Sequence, residues 1–236
     1  MPRPLLLHLV RHGRTRLNAE SRVQGWADSP LTADGLAGIR ATAEHLRDAA
    51  LVAAYASPSG RTVTTAQEIL RHHPAVPLLT DPRLRELGFG DFEEQPEAML
   101  AATTDPEVVF RDLFDGTFAG FPRGEPGDVF LSRVARGFTA VEQAQRSGGP
   151  VLVVSHGVTL AAYLSLIGAP GRCQLPNASV TTVCIAPEGT RTVLETGTDP
   201  SGVAVTGAGP PRRPARVTLE QAAAWHPDSA LDVAGR

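Results

Sequence analysis

The segment Leu5-Leu6-Leu7-His8-Leu9-Val10-Arg11-His12-Gly13 decides the fold of this chain. It begins with a short, almost entirely apolar run that a charged residue and a glycine end, which is typical of a buried strand. Val151-Leu152-Val153-Val154-Ser155 is a second run of this kind, and His156 and Gly157 follow it. Each of two buried strands is therefore followed by a His-Gly pair at a predicted turn into a helix.

Strands and helices alternate along most of the sequence. Apolar residues at helical spacing predict helices over 32–46, 59–70, 125–145 and 157–167. Short apolar runs predict further strands at 51–57, 76–79, 180–186 and 191–195. Such alternation predicts an α/β fold, namely a three-layer α/β/α sandwich with a mostly parallel central sheet. In these sheets a ligand lies beyond the carboxyl ends of the strands, where both His-Gly pairs are expected.

Residues 1–196 are predicted to form one domain. An irregular segment at about 89–126, with short helical stretches at 96–101 and 106–114, is predicted to be a small helical cap on that domain. Residues 197–236 begin with a stretch rich in Gly, Pro, Thr and Ser, which predicts a linker and a C-terminal tail. In the predicted helices 59–70 and 125–145 the residues expected to face the core are Val63, Ala66, Leu70, Val129, Val134, Phe138 and Val141.

Composition excludes several classes of function. The net charge of -3 provides no basic field for nucleic acid or an anionic membrane. All 22 cationic residues are arginine, which excludes a P-loop lysine, a Schiff-base lysine and a kinase-type lysine. The two cysteines, Cys173 and Cys184, form neither a metal-type pattern nor a disulfide framework. We therefore expect a cytoplasmic protein without membrane or nucleic-acid partners; a homodimer stays open.

The residues beside the first His-Gly pair suit a phosphate ester. A phosphate monoester is a dianion, and arginine offers a planar fork of donors that stays charged at any working pH. Arg11 and Arg14 flank the first turn, and Arg61 lies where a predicted strand becomes a helix. Thr15 and Asn18 add neutral donors.

The two histidines and one carboxylate suit phosphoryl transfer. A neutral imidazole such as His12 attacks phosphorus when its other ring nitrogen is held by an acceptor. His156 is expected to donate to the transferring group and stabilise its charge. Glu86, in Leu84-Arg85-Glu86-Leu87-Gly88, is expected to protonate the leaving oxygen and later to activate water. No metal ligand set and no cofactor motif is predicted.

Several blocks of sequence, taken in order, resemble branch 1 of the histidine phosphatase superfamily, the phosphoglycerate mutase-like family. A single Arg-His-Gly triplet is weak evidence, but the ordered set over roughly Leu5 to Glu195 is specific. The blocks are Arg11–Asn18, Gln24-Gly25, Asp28–Gly35, Ser57–Thr62 with Thr65-Ala66, Leu84–Glu93, Val153–Gly157 and Leu175–Val180.

The resemblance implies roles for individual residues. His12 would be the phosphorylated nucleophile, Arg11, Arg61 and His156 would complete the phosphate pocket, and Glu86 would be the proton donor. The residues expected to contact substrate are Asn18, Thr15, Gln24, Gly25 and Gly157. Arg14 departs from the pattern, because relatives often carry Glu or an uncharged residue there; it either adds a cation at the mouth of the pocket or faces solvent.

Three functions remain open at this point. The first is a phosphomonoester hydrolase that acts on a small phosphorylated metabolite without metal. The second is a phosphoglycerate mutase-type transferase, which needs more cationic grip on a carboxylated substrate, whereas residues 88–120 carry only Arg111. The third is a non-catalytic phospho-ligand binder on the same fold. Hydrolysis is favoured over the mutase reaction because residues 88–120 are acidic and contain no lysine, and competent residues at all five catalytic positions argue against the binder.

Two groups near Glu86 have competing interpretations. Asp91, Glu93, Glu94 and Glu97 are interpreted as a solvated acidic loop, although any of them is a competitor for the role of acid. The aromatic residues Trp26, Phe89, Phe92 and Phe110 either line a substrate entrance or pack in the core and at its rim.

Overall fold

The computed structural model describes residues 3–169 and 175–202. Those residues form six strands, seven α-helices and two single 3-10 turns at Pro82–Leu84 and Gly90–Phe92. The strands are β1 (Leu5–Arg11), β2 (Ala53–Ala56), β3 (Leu78–Thr80), β4 (Gly149–Ser155), β5 (Val180–Ile185) and β6 (Arg191–Thr198). The helices are α1 (Arg16–Ala19), α2 (Ala33–His45), α3 (Gly60–Leu70), α4 (Glu97–Thr103), α5 (Pro106–Phe114), α6 (Gly127–Ala144) and α7 (Gly157–Leu166).

All six strands form one sheet in the order β3-β2-β4-β1-β5-β6. The first four strands are parallel, whereas β5 runs antiparallel to β1 and β6 antiparallel to β5. The predicted α/β fold with a mostly parallel sheet is therefore confirmed. The central pair is β1 and β4, with Arg11 beside Ser155 in the register. The two strands that precede the His-Gly pairs thus lie side by side and end at the same edge.

The core lies on both faces of the sheet because both faces of the parallel strands are covered by helices. On one face, Leu7 and Leu9 of β1 pack in a cluster with Phe130 and Phe138 of α6 and Tyr163 of α7. On the other face, the strand residues Val10, Leu152 and Val154 join α2 and α3 residues such as Ile39 and Ile69. The alternation of Leu9 and Val10 between these clusters is the two-residue period of a strand buried on both sides.

Two helices place a different face inward from the one predicted. In α3 the buried residues are Arg61, Thr62, Thr65, Ala66 and Ile69, while Val63 and Leu70 are only half-buried. This face is polar at its start because α3 also supplies the site described below. In α6, Val129 is 49% exposed. The helix begins at Gly127, so Val129 lies in its first turn on the solvent side; the inward expectation for Val129 was wrong, whereas Val134, Phe138 and Val141 are buried.

The segment predicted as a cap contains α4 and α5 and is joined to the body by aromatic residues. Phe121 is the centre of this contact: its ring centroid lies 5.4 Å from those of Phe89 and Phe92 and 4.9 Å from that of Phe118. Phe89 and Phe92 therefore pack against the core, whereas Phe110 is 40% exposed.

The end of the described chain lies in and just after β6. The predicted domain limit at residue 196 falls inside this strand, which continues to Thr198. Residues 203–236, which include most of the predicted linker and tail, lie outside the described residues, as does Cys173. In the part of the chain that the structure describes, no helix combines the length and the apolar character needed to cross a membrane.

Phe138 and Val129 provide a test of the α6 register. Phe138 is 1% exposed and its ring stacks on Tyr163 at 3.8 Å between centroids. Phe138→Ala is expected to lower the free energy of unfolding by about 3–5 kcal/mol, as for other buried Phe truncations. Val129→Ala, on the same helix, is expected to change it by less than about 0.5 kcal/mol because the side chain faces solvent. Urea denaturation measures both, and a larger loss for Val129→Ala would contradict the observed register.

Candidate active site

His12 follows β1 directly and is fixed by the neighbouring strand. Its backbone N–H donates to the carbonyl of Ser155 at 3.0 Å, which continues the β1–β4 ladder by one bond. Its ring is buried, and Nδ1 lies 2.9 Å from the Gly13 carbonyl oxygen. Since a carbonyl only accepts, Nδ1 carries the proton and Nε2 carries the free lone pair. The side chain therefore presents one unprotonated nitrogen as a nucleophile.

The charges around His12 keep its ring neutral. Burial lowers the pKa of His12 well below 6.5, and the positive charges of Arg61 and Arg11 lower it further. The hydrogen bond to the Gly13 carbonyl acts in the opposite direction and is the smallest of these causes. A neutral imidazole between two guanidinium groups is the state that phosphoryl attack requires.

Gly13 packs closely against α2. A Cβ at this position would lie 2.4 Å from Cδ1 of Ile39 and 3.0 Å from the carbonyl oxygen of Gly35. Its N–H donates to the Thr65 hydroxyl at 3.1 Å. The missing side chain of Gly13 therefore allows close contact with α2.

His156 caps α7 directly after β4, and its ring centroid lies 5.3 Å from that of His12. Its Nδ1 is 3.1 Å from Nη2 of Arg61, which can only donate, so Nδ1 accepts and Nε2 carries the proton. Nε2 donates to the Ser57 hydroxyl at 2.8 Å. Burial first, then Arg61 and His12, lowers the pKa of His156 well below 6.5. To donate to a phosphoryl oxygen, Nε2–H must first give up its hydrogen bond to the Ser57 hydroxyl.

Arg61 lies in the first turn of α3, and its side chain is completely buried. Its Nη1 donates to the carbonyl of Ala27 at 2.7 Å and to Asp28 at 3.0 Å, and its Nη2 donates to the carbonyl of Gly25 at 2.7 Å as well as to His156. The loop at 25–28 therefore fixes the orientation of this guanidinium. Burial lowers the pKa of Arg61, whereas Asp28, Glu86 and Glu93 raise it.

Arg11 is held from the opposite side of the site. Its Nη1 donates to the Leu175 carbonyl at 2.7 Å. Gly157 makes room for the guanidinium, because a Cβ there would lie 3.4 Å from Nε of Arg11. Gly157 therefore lies directly against the Arg11 guanidinium.

Two buried donors at this site lack an acceptor. Among the described residues, Nε of Arg11 and Nε of Arg61 are the buried side-chain polar atoms without a hydrogen-bond partner. A buried donor that stays unpaired costs about 1–3 kcal/mol, so such atoms are rare unless a ligand pairs with them. Burial lowers the pKa of Arg11, Glu86 and Glu97 raise it, and the like charge of Arg61 lowers it. An anion between the two guanidinium groups would relieve both deficits.

Glu86 lies at the N-terminus of α7 as an acceptor. One carboxylate oxygen accepts from the N–H groups of Leu87 and Thr159 and from the Thr159 hydroxyl, each at 3.0 Å. The other accepts from the N–H of Val158 at 3.0 Å. Two of these donors, the N–H groups of Val158 and Thr159, are orphan groups at the start of α7, which favour a negative charge. The side chain is buried, and its charge raises the pKa of Arg11 and of Arg61 against the larger, opposing effect of burial.

The three polar residues predicted to contact substrate from the first loop are bonded mainly to one another. Thr15 and Asn18 form a reciprocal capping box on α1. The Gln24 amide accepts from the Thr15 hydroxyl at 2.8 Å and donates to Ser29 at 3.2 Å, so both ends are occupied. Oδ1 of Asn18 accepts from Thr15 and Asn177, whereas its NH2 group makes no hydrogen bond to the described residues and is left for a ligand. Substrate contact by these residues stays a prediction.

Glu93 has a structural function that the sequence did not indicate. Its carboxylate accepts from the backbone N–H groups of Trp26 at 2.9 Å, Ala27 at 2.6 Å and Phe89 at 3.1 Å. The interpretation of Glu93 as part of a solvated acidic loop was therefore wrong, because half-burial and three backbone donors hold it in place. The residues on either side differ: Asp91 pairs with Arg123 at the surface, and Glu94 and Glu97 are exposed.

Trp26 forms one wall near Glu86. Its Nε1 donates to the Glu86 carbonyl at 2.8 Å, and the Arg85 guanidinium lies 5.6 Å from its ring centroid. The side chain is 50% exposed, so it belongs to the rim and not to the core. Arg14 is exposed as well and forms no ion pair within the described part of the chain.

Comparison with known proteins agrees with this geometry. A family model described as the histidine phosphatase superfamily (branch 1) matches residues 7–196, which include every residue discussed above. The chain belongs to branch 1 of the histidine phosphatase superfamily. The family resemblance predicted from the sequence is therefore confirmed.

Proteins similar to this chain carry more than one functional name. A protein of Proteus mirabilis called a probable phosphoglycerate mutase GpmB is 37% identical over 185 residues, or 76% of this chain and 84% of the relative. The crystal structure of a phosphoglycerate mutase from Bacillus anthracis superposes with a TM-score of 0.75 at 29% identity, covering 85% of this chain and 96% of that one. A mycobacterial glucosyl-3-phosphoglycerate phosphatase in complex with VO3 gives a TM-score of 0.69 at 26% identity, with coverage of 82% and 98%.

Sequence reasoning missed Ser57 and the contact of Glu93 with the loop at 25–27. Both residues lie inside blocks that carry the family resemblance, but Ser57 was given no role there and Glu93 was considered only as a competing acid. No cluster of three or more His, Cys, Asp or Glu side chains in the described ranges is arranged to hold a metal ion.

The buried histidines predict how stability depends on pH. His12 and His156 have pKa values well below 6.5, and burial, with a smaller effect of His45, lowers the pKa of His8 to about 4. As the pH falls below 6.5 the unfolded chain binds protons at these positions before the folded protein does, so the free energy of unfolding falls. His12→Asn is expected to make this slope between pH 6.5 and 5 shallower by up to about 1.4 kcal/mol per pH unit. Denaturation at several pH values measures the slope, and identical slopes for both proteins would contradict a neutral His12.

Proposed function

We propose that this histidine phosphatase hydrolyses phosphate monoesters of small metabolites through a phosphohistidine on His12. The observation that carries the proposal is the neutral His12 ring, with its proton on Nδ1, beside two arginines whose buried Nε atoms have no acceptor. A phosphoryl group has the charge and the acceptor oxygens that these donors lack. The proposal is further supported by family membership and by relatives that are named phosphatases.

In the first step Nε2 of His12 attacks phosphorus and the bond from phosphorus to the ester oxygen breaks. The leaving alkoxide takes a proton from Glu86, which must bind that proton beforehand. Phosphohistidine carries a positive ring, and the hydrogen bond from Nδ1 to the Gly13 carbonyl stabilises it. Arg11 and Arg61 are proposed to neutralise the charge on the phosphoryl oxygens, and His156 to donate Nε2–H to one of them.

In the second step a water molecule replaces the alcohol. Glu86 is now a carboxylate, the form that its four donors favour, and it takes a proton from water while the oxygen attacks phosphorus. The bond from phosphorus to Nε2 breaks, and inorganic phosphate leaves. The enzyme returns to its starting protonation state with Glu86 protonated and His12 neutral, so no metal or cofactor is needed for the balance.

Mutase activity is the second candidate, because the relative from Proteus mirabilis and the structure from Bacillus anthracis carry that name. A mutase must hold a second anionic group of its substrate while the phosphoryl group is transferred. In residues 88–120 the sole cation is Arg111, which is exposed and donates to Asp112 at 2.7 Å. This segment therefore offers no free positive charge over the site, and hydrolysis is favoured.

Removal of the nucleophile tests the proposed role of His12. His12→Ala is expected to lower kcat on an aryl phosphate by about 1000-fold or more, since the intermediate cannot form. The wild-type rate is expected to persist in EDTA. Circular dichroism checks that the variant is folded. Turnover retained by a folded His12→Ala protein would place the nucleophile elsewhere, and loss of wild-type activity in EDTA would reject the metal-free mechanism.

Glu86→Gln separates the proton donor from the nucleophile. With a good aryl leaving group the first step needs little protonation, whereas attack by water still needs a base. The variant is therefore expected to accumulate a phosphoenzyme and to turn over about 100-fold or more slowly. Rapid quench with labelled substrate measures the adduct, which should be labile in acid and stable in base. An acid-stable adduct, or none in either protein, would refute phosphohistidine.

Phosphoglycerate distinguishes the two candidate reactions. With 3-phosphoglycerate and catalytic 2,3-bisphosphoglycerate, a phosphatase is expected to release inorganic phosphate and to form no 2-phosphoglycerate above background. Phosphorus NMR follows both products in one sample. Net isomerisation faster than phosphate release would favour the mutase, and tight phosphate binding without either reaction would indicate a binder.

A further inference from the structure

Glu93 and Arg61 lie on opposite sides of one short loop. The loop comprises Gly25, Trp26 and Ala27. On one side the N–H groups of Trp26 and Ala27 donate to the Glu93 carboxylate at 2.9 and 2.6 Å. On the other side the carbonyls of Gly25 and Ala27 each accept from Arg61 at 2.7 Å. The loop is thus held between a carboxylate and a guanidinium that do not touch each other.

A single peptide unit connects the two charged groups. The Gly25 carbonyl and the Trp26 N–H belong to the same peptide bond, in which they point in opposite directions. The negative charge of Glu93 at the N–H end increases the partial negative charge of the carbonyl oxygen, and hydrogen bonds in such a chain strengthen one another. The same bond series continues from Arg61 Nη2 to Nδ1 of His156 and from His156 to Ser57.

Gly25 fits this arrangement for two reasons. Its φ of 54° lies in the left-handed region, where glycine is least strained. A Cβ would lie 2.5 Å from Oε1 and 2.9 Å from Cδ of Glu93, so any larger residue would push the carboxylate away from the loop. The close contact of loop and carboxylate therefore depends on both residues.

Asp28 is a second support for Arg61, and it is more exposed than the loop carbonyls. Asp28 contacts Nη1 at 3.0 Å, but its own side chain is 40% exposed, and solvent screens such a pair. The carbonyl oxygens of the loop are the nearer acceptors, at 2.7 Å. The Glu93 carboxylate fixes their positions by accepting from the N–H groups on the other side of the loop.

We propose that Glu93 is a positioning residue for phosphate binding: it holds the Gly25–Ala27 loop so that the loop carbonyls aim the Arg61 guanidinium at the phosphoryl group. This inference rests on the proposed function in one respect, because it takes phosphate as the ligand of Arg61. It assigns Glu93 no proton transfer and no contact with substrate.

Binding of inorganic phosphate tests the proposal without requiring turnover. Glu93→Gln retains the size of the side chain but replaces one acceptor oxygen by an NH2 group that faces backbone donors. The Kd for phosphate, measured by calorimetry, is expected to rise about 10- to 100-fold, the range for loss of a hydrogen bond to a charged group. The KM for an aryl phosphate is expected to rise in parallel. Glu94→Gln is the matched control, because the adjacent side chain is exposed, and it should stay within about twofold of wild type.

A double-mutant cycle shows whether Glu93 acts through Arg61. In an Arg61→Ala background the Glu93→Gln change is expected to have almost no further effect on the Kd for phosphate, because the group it positions is gone. Fully additive losses would overturn the proposal and leave Glu93 as a general structural residue. A Kd unchanged in the single variant would overturn it as well.

Gly25→Ala provides the same test without touching either charge. If Glu93→Gln does not fold by circular dichroism, Gly25→Ala takes its place in the cycle, since its Cβ displaces the carboxylate. The criteria are the same: a raised Kd for phosphate that disappears in the Arg61→Ala background supports the proposal, and any other result overturns it. Wild-type protein that binds phosphate without hydrolysing esters would refute the proposed phosphatase alone, whereas wild-type protein that binds no phosphate would overturn this inference.

Discussion

The parallel pairing of β1 with β4 is the constraint on which the site depends. Because the two strands lie side by side in register and end together, the residues that follow them meet: His12 donates its N–H to Ser155, and the rings of His12 and His156 lie 5.3 Å apart. Parallel strands need a long crossover, and the chain between β1 and β4 supplies Arg61 from α3 and Glu86 from the segment after β3. With Arg11 at the end of β1, all five proposed catalytic residues come from this strand pair and its crossover.

Positive charge is concentrated at this edge with too few acceptors to match it. Arg61 is buried and Arg11 is half-buried, each has a buried Nε without a partner among the described residues, and the pKa values of His12 and His156 are lowered partly by these cations. The cost of burying like charges is offset by Glu86, Asp28 and loop carbonyls, but not removed. An incoming phosphoryl dianion, as proposed, would both pair with these donors and offset the positive charge.

The sheet and the two His-Gly turns could be predicted from sequence because they follow from local apolar runs. The exposure of Val129 could not, since Val129 and Phe130 are adjacent apolar residues in the first turn of α6 and the helix turns Phe130 toward the core. Ser57 and Glu93 were missed for another reason. Glu93 bonds to Trp26 across 67 positions of sequence, and its partners are backbone N–H groups of a loop with a left-handed Gly25, which leave no periodic signal. The fold could be predicted from local apolar patterns, whereas the contacts that support the site depend on loop geometry.

The acceptor position of Glu86 has a consequence for motion. The N-cap residue of α7 makes no side-chain capping bond, so the Glu86 carboxylate is the cap of that helix. A protonated carboxyl has lost part of its acceptor capacity and has gained a donor that faces other donors. In the proposed cycle the N-terminus of α7 would therefore loosen whenever Glu86 holds its proton and tighten when the proton leaves. Chemistry and local order at this helix terminus would alternate in step, once per turnover.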